Sequence, residues 1–115
     1  MSNGYIYVAS NNVGGVKGTN YIQEAIYSAN SLRKYDPKAN ITLYTDKPMK
    51  NDVFTNIEIV KMSLRCKQKL LKNSPYEKTI VIDTDTYINH SISDIFDLLD
   101  KYELLGVQDY ARKRN

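Results

Sequence analysis

An α/β fold, with a mainly parallel sheet flanked by helices, is what the alternation of strand-like and helix-like segments along these 115 residues specifies. Three observations carry that expectation. Short runs rich in β-branched and aromatic residues recur at 5–10, 41–45, 57–60 and 79–82. Between the first two lies a stretch whose apolar residues recur at helical spacing. Finally, Ile80, Val81 and Ile82 are apolar without alternation, as a parallel strand covered on both faces requires.

The first strand, 5–10, carries Ile6 and Val8 among tyrosines and runs into the loop NNVGGVKGTN. Asn20 is placed to cap a helix, with Gln23 three residues on. Ile22, Ala25, Ile26, Ala29 and Leu32 form its apolar stripe until Asp36-Pro37 stops it, because the residue before a proline avoids helical backbone. Residues 41–45 alternate as a second strand ending at the turn Asp46-Lys47-Pro48, and 57–60 make a shorter third. Ser63 is a cap for a basic helix through Leu71, closed by Asn73-Ser74-Pro75. After the strand at 79–82, Ser91 or Ser93 caps a further helix with Ile92, Ile95, Phe96 and Leu99 as its stripe, and 103–108 reads as a final strand.

With 42% hydrophobic and 25% charged residues, the composition is that of one ordinary globular domain, 1–115. The formal charge is +3, and the cations bunch in 61–72 and 112–114. A local anion site therefore fits better than a polyanion-wide surface, which argues against nucleic acid as a partner. A lone Cys66 cannot form an internal disulfide. With no signal peptide and no membrane-length apolar run, a cytoplasmic setting is expected, so Asn40-Ile41-Thr42 and Asn89-His90-Ser91 read as chance glycosylation patterns.

The most informative segment is TIVIDTDTYIN, 79–89. It delivers Asp83 and Asp85 to the carboxyl end of a buried strand, where α/β proteins place their chemistry. Nothing in the apolar run before them could neutralise a carboxylate. With one residue between them, a turning backbone can aim both at a common point, where Mg²⁺ or Mn²⁺ would accept the oxygens and bridge to phosphate. The plainer alternative is that either acid merely caps the next turn.

Other residues carry weaker signals. Gly14, Gly15 and Gly18 permit close backbone approach, but they match neither the P-loop order nor the dinucleotide G-x-G-x-x-G spacing. Asn11 and Asn12 could hydrogen-bond a nucleobase edge, although turn asparagines usually serve the backbone. Arg65, Lys69 and Lys72 share one helical face, with Lys67 elsewhere, and a cation there would complete a diphosphate clamp. His90 reads as a surface residue. Most of the ten tyrosines read as half-buried packing residues, with Tyr5 or Tyr21 stacking on a base as the minor alternative.

Taken together, these segments resemble a family, the nucleotide-diphospho-sugar transferases of the GT-A type, and especially the branch with glycogenin and bacterial lipopolysaccharide galactosyltransferases. The resemblance rests on YIYVASNN, the SLRKYDP helix ending, ITLYTDKP, Arg65-Cys66-Lys67, SPYEKTIVIDTDTYI and SDIFDLL. It implies a Rossmann-like GT-A fold and a metal-dependent glycosyltransferase using a nucleotide-diphosphate sugar, UDP-sugar by preference. The base would lie near Ala9, Ser10, Asn11, Thr45 and Asp46. Asp83 and Asp85 would be the D-x-D metal ligands beside Thr84, with Arg65 contacting the donor and Lys67 behind it. The acceptor, whether glycan, protein or lipid, is not specified.

Family members continue beyond the point matching Asn115, so the resemblance covers a donor-binding half. The expectation is a truncated form, a minimal protein that binds donor weakly, or one that completes its wall with a second copy. Two rival readings stand beside it. One is a non-catalytic nucleotide-sugar-binding module. The other is a haloacid-dehalogenase-type phosphatase, whose D-x-D pattern wants Thr or Val where Tyr87 stands.

Overall fold

A computed structural model describes residues 3–11, 18, 20–61, 74–98 and 102–103. These form a parallel sheet in the order β3-β2-β1-β4-β5, where β1 is Asn3–Val8, β2 Ile41–Thr45, β3 Asn56–Ile59, β4 Lys78–Val81 and β5 Tyr102–Glu103. Every pairing is parallel, with Tyr5 opposite Ile41 on one side and Ile80 on the other. The fold is Rossmann-like α/β. The expected basic helix at 63–71 and the continuation of the last strand past Glu103 lie outside the described residues.

One helix, α1, spans Tyr21–Tyr35 between β1 and β2. Asn20 caps it as the spacing predicts, its Oδ1 accepting from the Gln23 N–H at 3.0 Å. Its buried face is Ala25, Ser28, Ala29, Ser31 and Leu32, and these mostly small residues let the helix lie close on the sheet. The helix ends at Tyr35, ahead of Pro37, with the Asp36 N–H returning to the Leu32 carbonyl at 3.0 Å. Arg33 then ties the loops together: its Nε donates to the Val53 carbonyl, and its Nη1 donates to the carbonyls of Pro37 and Ala39.

Strand alternation divides the apolar residues between the two faces of the sheet. Tyr5, Tyr7, Ile41, Leu43, Ile80 and Ile82 form the larger core with α1, while Ile6, Tyr44 and Val81 cluster on the opposite face. The burial of Ile80, Val81 and Ile82 matches the expectation for a strand covered on both sides. On the second face the Tyr76 ring lies directly over Gly4, where a Cβ would overlap it, and its hydroxyl bonds Thr42 Oγ1 at 2.6 Å. A bare glycine is therefore required in β1 at that point.

Two expectations need correction. The tyrosines of β1 are not half-buried: Tyr5 is 1% and Tyr7 0% exposed, because both alternate onto the α1 side. Tyr5 packs edge-on against Phe96 at 5.1 Å, which leaves it unable to stack on a base. The segment after β4 forms a short 3₁₀ helix, Ser93–Leu98, in place of an α-helix. Its Ile92, Ile95 and Phe96 are buried as the stripe predicted, so packing is kept although the winding is tighter.

Candidate functional site

The strand order determines where a ligand can enter. From β1 the chain moves outward through β2 and β3, and it then returns to pair β4 with the other side of β1. The strand order therefore reverses between β1 and β4, and open α/β sheets bind their ligands outside the carboxyl ends of the strands at such a switch point. Ala9, Ser10 and Asn11 follow β1 there, and Ile82, Asp83, Thr84 and Asp85 follow β4. The ends of β2 and β4, one on each side of β1, are two strand spacings apart, about 10 Å.

The diaspartate segment is held from several sides. The Ile82 N–H donates to the Ile6 carbonyl at 2.9 Å, which extends the sheet one residue beyond β4. A tight turn follows, closed by the Thr86 N–H on the Asp83 carbonyl at 3.0 Å, so both carboxylates stand on that turn. Thr84 Oγ1 donates to Glu24 Oε1 at 3.1 Å, and the Ile88 N–H donates to Ser31 Oγ at 2.8 Å. Helix α1 therefore aims the turn. Asp83 is partly exposed and Asp85 exposed, so both reach solvent.

Sequence reasoning missed this anchoring by α1. Ser28 and Ser31 lie within the buried face, where polar residues need partners. Ser28 Oγ meets the Tyr7 hydroxyl at 2.7 Å, and Ser31 Oγ both receives the Ile88 N–H and donates to the Ser28 carbonyl. Two serines in an apolar stripe were the available signal.

On the other side of β1 lies a concavity of about 280 Å³ bordered by Asn11, Asn20, Gln23, Thr45, Asp46 and Lys47. It joins three of the residues expected near a base, Asn11, Thr45 and Asp46. Ala9 is buried beside them, its N–H donating to the Tyr44 carbonyl at 3.0 Å, so it can offer a ligand no side-chain contact. Thr45 is also buried, while Ser10 is partly exposed. Arg65 and Lys67 lie outside the described residues.

Asn11 has a further task. Its Oδ1 accepts from the N–H groups of Tyr21 (2.7 Å) and Ile22 (3.2 Å), and its Nδ2 donates to Asn20 Oδ1 at 3.0 Å. With Gln23 N–H on Asn20 Oδ1 and Glu24 N–H on the Asn20 carbonyl, the first four amides of α1 are all occupied. An unfilled helix N-terminus is what dinucleotide-binding folds offer to phosphate. Here two asparagines take that place. Asn11→Ala should therefore cost about 1–2 kcal/mol of stability, as loss of a helix cap does, measured by urea denaturation.

Among the described residues no group of three or more His, Cys, Asp or Glu side chains could hold a metal. No helix among them is long and apolar enough to cross a membrane. Gly18 takes a positive φ, +89°, which a residue without a Cβ adopts freely. His90 is exposed, its Nδ1 3.0 Å from the Ser91 carbonyl.

No protein-family model and no curated protein matches the chain. Among solved structures it is similar to the crystal structure of S. aureus TarS, a glycosyltransferase, with a TM-score of 0.52 and 16% identity over 79% of this chain. The likeness is one of fold. This chain spans 18% of the length of TarS.

Proposed function

We propose that this chain binds the diphosphate of a nucleotide-sugar donor, UDP-sugar by preference, through a divalent cation at Asp83 and Asp85, as the donor-binding part of a metal-dependent GT-A glycosyltransferase. The observation that carries the reading is the adjacency of β1 and β4, which makes the strand end bearing the two aspartates a topological switch point, with the concavity at Asn11 and Asp46 on the other side of β1. The fold likeness to TarS supports the same class.

The residues fit such a cation. Two carboxylates on one tight turn supply part of a hard-oxygen shell, and Mg²⁺ or Mn²⁺ commonly completes the rest with phosphate oxygens and water. The surroundings also favour it. Asp83, Asp85 and Glu24 make this end of β4 acidic, so an approaching diphosphate meets repulsion unless positive charge intervenes. The amides of α1 cannot supply that charge, being occupied already.

Bound here, a divalent ion supplies neutralisation of the charge that develops on the leaving diphosphate. The chain's own residues orient the donor. Asp83 and Asp85 fix the diphosphate end from a turn braced by Ile6, Glu24 and Ser31, and the concavity at Thr45 and Asp46 receives the nucleoside end.

Isothermal calorimetry with UDP tests this, first with Mn²⁺ and then with EDTA. Binding that depends on Mn²⁺ is expected, and absence of binding in both, or equal affinity in both, would refute the reading. A panel of nucleotide sugars assayed for hydrolysis and transfer then distinguishes an enzyme from a binding module.

A further inference from the structure

A second concavity, of about 220 Å³, lies on the α1 side of the diaspartate turn, apart from the one at Asn11 and Asp46. Glu24, Tyr27 and Ser28 form one wall, at the i, i+3, i+4 spacing of a single helical face. Thr84, Asp85, Thr86 and Tyr87 form the other. Tyr27 and Tyr87 are 65% and 57% exposed, the two most exposed large hydrophobic side chains among the described residues.

One further feature points to a ligand. Thr86 is 1% exposed, and its Oγ1 is buried with no hydrogen-bond partner among the described residues, although the residue lines the cavity. Folded proteins rarely leave such a hydroxyl unsatisfied. An apolar concavity with a few convergent polar groups is the usual form of a small-molecule site.

We propose that this concavity is a carbohydrate subsite taking one pyranose ring and that, resting on the donor reading above, it holds the acceptor sugar. A pyranose presents apolar C–H faces and a rim of hydroxyls. The exposed rings of Tyr27 and Tyr87 match the faces. The rim is matched by Thr86 Oγ1 and by the Glu24 carboxylate, which accepts one hydrogen bond from Thr84 and has lone pairs for more. Because Asp85 belongs both to this cavity and to the diaspartate turn, a sugar held here lies beside the diphosphate end of a bound donor. Acceptor hydroxyl and donor sugar would thus be brought together.

Saturation-transfer NMR with the methyl glycosides of glucose, galactose and N-acetylglucosamine tests the subsite without UDP or metal, in EDTA. Transfer to the ring C–H protons of at least one glycoside is expected, with matching shifts of two tyrosine ring resonances. In Tyr27→Ala and Tyr87→Ala the signal should fall at least fivefold. No transfer with any glycoside, or undiminished transfer in both variants, would overturn the proposal. So would sedimentation showing a dimer that Tyr87→Ala dissolves, since the tyrosines would then serve a second copy. The tyrosine shifts are read on the unaltered protein, so the test survives a variant that misfolds. UDP binding with Mn²⁺, measured on the same samples, reports separately on the donor reading.

Discussion

Asp85→Asn is expected to weaken Mn²⁺-dependent UDP binding about 100-fold or more, since loss of even an outer-shell partner of a metal costs ~10–100-fold. The amide is nearly isosteric but carries no charge, so a dication loses one of two anionic oxygen donors and keeps its desolvation cost. A 100-fold loss corresponds to about 2.7 kcal/mol. Stability should barely change, because Asp85 is exposed and the turn is closed by backbone groups of Asp83 and Thr86. Calorimetry on both proteins, with urea midpoints as the folding control, checks this. Equal UDP affinities would remove Asp85 from the site.

Stability should also collapse in alkali, through Tyr5 and Tyr7. Burial pushes both phenols well above their ordinary range; for Tyr5 the nearby Asp36 adds to this, and for Tyr7 the Ser28 hydrogen bond offsets it only in part. Below pH ~10 these tyrosines are protonated whether the chain is folded or not, and the core is at full strength. Above it the unfolded chain releases both protons while the folded core retains them, so the native state binds more protons and stability falls as pH rises. Each group contributes a slope of ~1.36 kcal/mol per pH unit, so the pair gives about 2.7.

Urea titrations between pH 9 and 12 measure the total slope, to which Tyr44 and Tyr76, also raised by burial, add, and Tyr5→Phe or Tyr7→Phe should each lower it by ~1.36 kcal/mol per pH unit. At neutral pH the two variants should part. Tyr5 Oη is buried without a partner among the described residues, so its removal should be neutral or stabilising by up to ~1 kcal/mol. Tyr7 loses its bond to Ser28, at a cost of about 1 kcal/mol. A flat profile above pH 10 would mean that neither ring is sealed from water.

Local chemistry made much of this chain legible. Asn20, Gln23 and the stripe from Ile22 to Leu32 specify α1, since each acts within one or two helical turns. The unbroken run Ile80-Val81-Ile82 marks a strand covered on both faces, and Asp83 and Asp85 follow at its carboxyl end. Other features resisted reading because their partners are distant in the chain. Asn11 reads as a base contact or, more commonly for an asparagine in a turn, as a residue serving the backbone, and only the return of α1 beside it reveals a helix cap. The hydroxyls of Ser28 and Ser31 gain their meaning from Tyr7 and Ile88, 21 and 57 residues away.

By itself, then, the sequence determined α1, the strands β1 to β4, their parallel character and the acidic pair at a strand end, because periodicity and capping are properties of neighbouring residues. Tertiary structure decided that β4 pairs with β1, that α1 spends its amides on asparagines, and that Tyr27 and Tyr87 meet around a cavity beside Asp85. Those outcomes depend on which distant segments share buried surface, a choice made by the packing of the whole sheet and absent from any local window of residues.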